Sequence, residues 1–99
     1  MIMLTEMEML EIANKYVKKM ENEIELAVLN HLTIKKRYGA IFFYNTKKYL
    51  ETRDDNYNTL VGNAPFLIEC ETGKIISFGT SRSEEYYLKE YEAGRWPVK

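Results

Sequence analysis

One cysteine, one histidine, two prolines and five glycines are all that this 99-residue chain holds of those types. A lone thiol excludes an internal disulfide framework, and with a single imidazole it leaves too few ligands for a zinc site or a paired redox motif. Glycine is scarce, and Gly62, Gly73 and Gly79 match neither a P-loop nor a dinucleotide-binding spacing. Positive charge is not in excess: 14 Lys and Arg face 15 Asp and Glu, for a net charge of −1. That balance argues against general binding to nucleic acid or to anionic membranes, both of which draw on surplus positive charge. No apolar run approaches the roughly 20 residues of a membrane helix. The start, Met1 to Leu4, is short and is followed by Glu6, Glu8 and Glu11, the wrong sign for a secretory leader. A reduced, cytoplasmic protein is the expectation, with Cys70 a core thiol.

What is present is ordinary for a globular chain: 45% apolar and 29% charged residues, values at which disorder is not expected. A chain of this length buries roughly 65% of its unfolded surface and supports one modest core, so residues 1–99 are expected to form a single domain.

The first segment predicts a helix. Thr5-Glu6-Met7-Glu8 has capping-box spacing, and Leu4 and Met9 stand where a hydrophobic staple would close. Acids come early and Lys15, Lys18 and Lys19 late, as the helix dipole favours. Met9, Leu10, Ile12, Ala13, Tyr16, Val17 and Met20 make one apolar stripe. From Ile24 the period becomes twofold. Ile24, Leu26, Val28, Leu32 and Ile34 share one face, with Asn30 marking a bulge or the end of burial. The basic turn Lys35-Lys36-Arg37 leads into an aromatic, β-branched strand over Tyr38–Tyr44, and the two strands form a hairpin.

Residues 45–63 are the least regular, with one helical turn over Thr46–Glu51 and then polar, turn-prone residues. Two more strands, Pro65–Cys70 and Lys74–Phe78, flank Glu71-Thr72-Gly73, where glycine supplies a left-handed turn residue. A last helix runs from about Ser83 to Ala93, capped by Ser81 or Ser83 and closed by Gly94. The expected fold is α+β: an N-terminal helix, an antiparallel four-stranded sheet of two hairpins and a C-terminal helix, with the helices on one face of the sheet.

Catalytic chemistry finds little support. Cys70 and His31 could form a nucleophile–base pair, but a buried small thiol and a satisfied strand histidine are the commoner states. Glu51, Asp54 and Asp55 could hold a cation or exchange protons, yet adjacent acids in a polar loop are more often simply solvated. The basic triplet suggests a double-stranded RNA-binding domain, but that module grips phosphate from the start of its second helix, where this chain has Glu84 and Glu85. Aromatic residues, eight tyrosines among them, are plentiful. Such rings serve protein interfaces and core margins equally well, and Tyr86 and Trp96 are expected to be the most exposed.

From Tyr38 to Glu92 the sequence resembles the immunity protein 35 family, also called the YrhB domain family. The resemblance rests on Phe42-Phe43-Tyr44-Asn45, Lys48-Tyr49-Leu50-Glu51-Thr52, Gly62-Asn63-Ala64-Pro65-Phe66-Leu67-Ile68, Glu71-Thr72-Gly73-Lys74, Gly79-Thr80, Glu85-Tyr86-Tyr87 and Glu90-Tyr91-Glu92. It implies a small α+β protein, encoded beside polymorphic toxins, that binds and neutralises its cognate toxin. It implies no catalytic residue, no metal and no cofactor. The matching residues mostly have structural explanations, so partner choice is expected on exposed side chains. The partner would be a basic protein toxin, such as a nuclease, met by Glu51, Asp54, Asp55, Glu84 and Glu85 with Tyr86 and Trp96. A chaperone-like, holdase role is the alternative that the resemblance allows.

Overall fold

The computed structural model describes residues 3–21, 24–54 and 64–97. The elements are α1 (Glu6–Met20), β1 (Leu26–Val28), a 3-10 turn (Asn30–Leu32), β2 (Ile34–Lys36), β3 (Gly39–Phe42), β4 (Tyr44–Thr46), α2 (Lys47–Thr52), β5 (Phe66–Glu69), β6 (Ile75–Ser77) and α3 (Glu84–Glu92). They make two antiparallel sheets, a four-stranded one in the order β2-β3-β5-β6 and a two-stranded one of β1 and β4.

Local chemistry starts α1 as its sequence predicts. The Thr5 hydroxyl accepts from the Glu8 amide at 3.1 Å, and the Glu8 carboxylate accepts from the Thr5 amide at 2.9 Å. The Leu4 amide donates to the Cys70 carbonyl at 2.7 Å, which ties the start of the helix to the end of β5. Gly73 has φ +74 in the turn before β6, and Ser83 rather than Ser81 caps α3. The Ser81 hydroxyl instead meets the Tyr87 hydroxyl at 2.9 Å.

The long first hairpin is broken. Ile34 pairs with Ile41, but Val28 pairs with Tyr44, so six residues separate the partners on one strand and three on the other. The 3-10 turn Asn30–Leu32 takes up the difference, and the Leu29 amide still reaches the Phe43 carbonyl at 2.8 Å. Asn30 therefore does mark an interruption, a wider one than a single-residue bulge. Because the insertion is odd, the facing changes across it: Leu26 and Val28 pack beside α1, whereas Ile34 packs on the opposite side. The uniform face drawn through Ile24, Leu32 and Ile34 is thereby corrected, and Ile24 and Leu32 are exposed. Asn45 and Thr46 belong to β4 rather than to an irregular stretch, and Thr46 caps α2 through the Tyr49 amide. The second half of that stretch, residues 55–63, lies outside the described residues.

The second correction concerns the helices, which lie on opposite faces rather than on one. Ala40, Phe42, Phe66 and Ile68 face α1 through Met9, Ala13 and Val17. Ile41, Leu67, Ile76 and Phe78 face α3 through Tyr87, with Leu88 and Tyr91 alongside. The signal was present in the runs Ala40-Ile41-Phe42 and Phe66-Leu67-Ile68, which are apolar without alternation, as strands covered on both faces are. On the α1 side Phe66 is the hub, with ring centroids 4.6 Å from Tyr16, 5.8 Å from Phe42 and 6.2 Å from Tyr44. Each such ring pair adds about 0.5–1.5 kcal/mol beyond area burial. The exposed ion pairs Lys35–Glu6 and Lys47–Glu25 contribute about 0–1 kcal/mol each, so packing decides the fold.

At Gly39, β3 has no room for a side chain against β5: a β-carbon there would collide with the Ile68 carbonyl. Gly94, at φ +77, has open space around the same position. Gly39→Ala is expected to lower unfolding free energy by about 3 kcal/mol or more. Gly94→Ala, which meets only backbone strain, should cost about 1–2 kcal/mol. Urea unfolding of both variants checks the order; equal losses would refute the close-approach account.

Candidate functional site

The acids and rings singled out from the sequence fall into two groups. Glu51 lies in α2 and Asp54 just past its end, where Arg53 turns the chain with φ 59. Glu51 lines a shallow depression with Ile24, Glu25, Lys47 and Lys48. Asp55 lies outside the described residues, as do Gly62 and Asn63 of the family pattern. Glu84, Glu85 and Tyr86 form the first turn of α3, on the other sheet. α2 follows β4 of the two-stranded sheet, whereas α3 packs on the four-stranded one, so the two groups stand on different parts of the fold.

The α3 group is the more developed. Ser83 accepts from the Tyr86 amide at 3.3 Å and starts the helix so that Glu84 and Glu85 occupy its positive end. Tyr86 is 41% exposed, with the Arg82 guanidinium 5.1 Å from its ring centre and its edge against Tyr87. Exposure of Tyr86 agrees with expectation. Trp96 does not: it is half-buried, its ring 4.8 Å from that of Tyr87, and its indole N–H donates to the Ser77 carbonyl of β6 at 3.1 Å. The indole is a structural bolt with one edge open to solvent.

That open edge belongs to a concavity that sequence reasoning missed. Arg37, Tyr38, Tyr91, Glu92, Gly94 and Trp96 line an open depression of about 610 Å³. Tyr38 and Tyr91 are 5.2 Å apart, and each hydroxyl donates to a carboxylate: Tyr38 to Glu92 at 2.5 Å, Tyr91 to Glu69 at 2.6 Å. Glu69 also accepts from the Thr72 hydroxyl at 3.0 Å. Both phenols are held well above the ordinary tyrosine pKa of 10.0, first by desolvation, then by the hydrogen bond to the carboxylate and its charge. The pairs span 54 and 22 residues, a separation that local pattern cannot report. Tyr86, the two acids of the helix start and this aromatic depression make a surface that is rigid, partly apolar and acidic at one end. Such surfaces suit protein recognition.

Elsewhere, Cys70 is buried just past β5 with its thiol 3.5 Å from the Arg37 carbonyl, and His31 is exposed on the 3-10 turn. Among the described residues no hydrogen bond joins them. Among the described residues no three His, Cys, Asp or Glu side chains converge as a metal site would require, and no helix is long and apolar enough to cross a membrane.

Compared with known proteins, the chain matches the family model of immunity protein 35 over residues 8–94. The match extends beyond Tyr38–Glu92 to take in most of α1 and both strands of the first hairpin. The chain is similar to an uncharacterized protein, YrhB, of Escherichia coli strain K12: 36% identical over 80 residues, covering 81% of this chain and 80% of that protein. No solved structure matches the chain.

The tyrosine–carboxylate pairs carry a pH dependence. The unfolded phenols lose their protons near pH 10, while the folded ones retain them to higher pH. Over that window the native state binds more protons, so stability falls as pH rises. Below pH 10 the contribution is complete. Denaturant unfolding between pH 8 and 11 should show a decline beginning near pH 10, shallower in Tyr38→Phe and in Tyr91→Phe. An unchanged slope in both variants would contradict the assignment.

Proposed function

The chain belongs to the immunity protein 35 family, and from that membership we propose that it binds a cognate protein toxin and neutralises it by occlusion, without catalysis. The α3 face is the proposed contact surface. The observation that supports it most is the company Tyr86 keeps: an exposed ring that follows Glu84 and Glu85 in the first turn of α3 and packs on Tyr87, whose ring also meets Trp96 on the wall of the Tyr38–Tyr91–Trp96 depression. Rigid aromatic side chains give large contact area at little entropic cost, and they are the residues most often found to dominate binding energy.

The acids give the surface its preference for partner. Glu84 and Glu85 would steer a basic face, such as the nucleic-acid-binding surface of a nuclease, and would chiefly raise the rate of encounter. Catalysis has no comparable support, since the buried thiol and the exposed imidazole are not joined.

The test is growth of a sensitive host that expresses the toxin encoded beside this protein, with and without it, followed by binding measurements on the purified pair. Co-expression should relieve toxicity, with a saturable one-to-one complex. Tyr86→Ala should weaken that complex at least tenfold. The double change Glu84→Lys, Glu85→Lys should slow association by about tenfold at low salt and much less at high salt. Glu51→Lys, in the other acidic group, should leave affinity unaltered. Toxicity that persists, or suppression of aggregation of unrelated clients without a one-to-one complex, would overturn the proposal in favour of a holdase.

A further inference from the structure

Another concavity lies away from the α3 face, on the opposite side of the sheet. Its volume is about 370 Å³, and Glu6, Met7 and Leu10 of α1 line it together with Asn30 and His31 of the 3-10 turn, Thr33, Lys35 of β2 and Ala40 and Phe42 of β3. Its origin is structural. α1 packs chiefly against β1 and more lightly against β3 and β5, which leaves the β2–β3 hairpin only partly covered. The residue of β3 beneath that gap is Ala40, whose methyl replaces the bulk that Phe42 supplies two positions on. Lys35, paired with Ala40 across the hairpin, reaches over to Glu6 at 2.8 Å and closes one side with an ion pair.

Two features distinguish this space from a packing fault. The Thr33 hydroxyl oxygen is buried and has no hydrogen-bond partner, an arrangement that costs about 1–3 kcal/mol unless something from outside the chain satisfies it. Met7, on its rim, is 71% exposed, an apolar side chain held out over the opening. Four of the lining side chains are apolar (Met7, Leu10, Ala40, Phe42) and five are polar. Thr33, Asn30, His31 and Lys35 can all donate, whereas Glu6, the one obligate acceptor, is already engaged by Lys35. Pockets of this make-up, at the small end of the usual range of roughly 300–1,000 Å³, take compact ligands oriented by one or two polar contacts.

We propose that this cavity binds a small, ring-sized apolar molecule that carries a single hydrogen-bond-accepting head, a carbonyl or a carboxylate. The ring lies against Ala40 and Phe42 beneath Leu10. The head accepts from the Thr33 hydroxyl. This site is separate from the α3 face, so its occupancy and toxin binding can be tested independently.

The experiment is an NMR titration of the whole labelled protein with four probes of one size: benzamide, benzoate, toluene and benzylamine. Benzamide or benzoate should give saturable shifts centred on Thr33, Ala40, Phe42 and Met7, with toluene at least tenfold weaker and benzylamine weakest. Thr33→Val should weaken the accepting probe about tenfold and leave toluene unchanged. Ala40→Leu should abolish binding of all four while thermal stability is kept or raised, because the added carbons enter empty space. No saturable shift with any probe, which would mean that the space holds water only, overturns the proposal. So do shifts that survive Ala40→Leu, or toluene binding as well as benzamide. Should Ala40→Leu fail to fold, the space is not free and the proposal likewise falls, with Thr33→Val as the independent check on the polar contact.

Discussion

The constraint on which the rest of the molecule depends is the pairing of β3 with β5, which at Gly39 leaves no room for a β-carbon beside the Ile68 carbonyl. That pair is the middle of the four-stranded sheet, and its side chains alternate between two cores. Ala40, Phe42, Phe66 and Ile68 supply one; Ile41 and Leu67 supply the other. A strand pair that is apolar on both faces cannot remain wet on either, so a helix is needed on each side. α1 and α3 meet that requirement from opposite ends of the chain. The contacts that hold them there differ in kind: α1 by broad aliphatic and aromatic burial around Phe66, α3 by a chain of rings from Phe78 through Tyr87 to Trp96.

The two faces are thereby left with different surfaces. Over the α3 side the tyrosines retain hydroxyls at the boundary and anchor them on Glu69 and Glu92, so the outer surface is rigid, polar-tipped and acidic. Over the α1 side the helix does not reach the whole hairpin, and the result is a recess lined by apolar and polar side chains. Glycine, strand and cap residues form the frame beneath both, and on the α3 side Tyr86 and Glu85 stand exposed with Glu84 half-buried beside them.

Much of the frame was legible in the sequence because local chemistry writes it. Thr5 and Glu8 announce the start of α1, Gly73 the turn before β6, and Gly94 the end of α3; each acts within a few residues of itself. The apolar stripe of α1 and the strands on either side of Gly73 were read for the same reason. The break at Asn30–Leu32 was harder, since Leu29 and Leu32 keep the run apolar while the chain changes facing between them. The placement of α3 was signalled by unalternating strands, but an α+β order of helix, strands and helix is equally consistent with one covered face. Of the candidate site, Tyr86 and the two helix-start acids were visible as an exposed turn. The Tyr38–Glu92 and Tyr91–Glu69 pairs were not, because only the folded sheet brings those residues together. Trp96 is half-buried rather than among the most exposed rings for a related reason: its partner, the Ser77 carbonyl, is a backbone group with no signature in the sequence.

That indole has a meaning beyond its own burial. Lys74 and Phe78 hydrogen-bond inward, to Glu69 and Pro65 of the β5 segment, so the intervening Ser77 directs its carbonyl outward from the last strand of the sheet. An outermost strand with open backbone groups is a template on which another chain can add a strand. Trp96 occupies that carbonyl and places a bulky ring beside it, while the opposite margin, β2, is three residues long and carries Lys35 and Lys36. The sheet is therefore terminated at both margins, by a plug at one and by charge at the other. With both margins closed, the sheet offers its own copies no edge on which to add a strand.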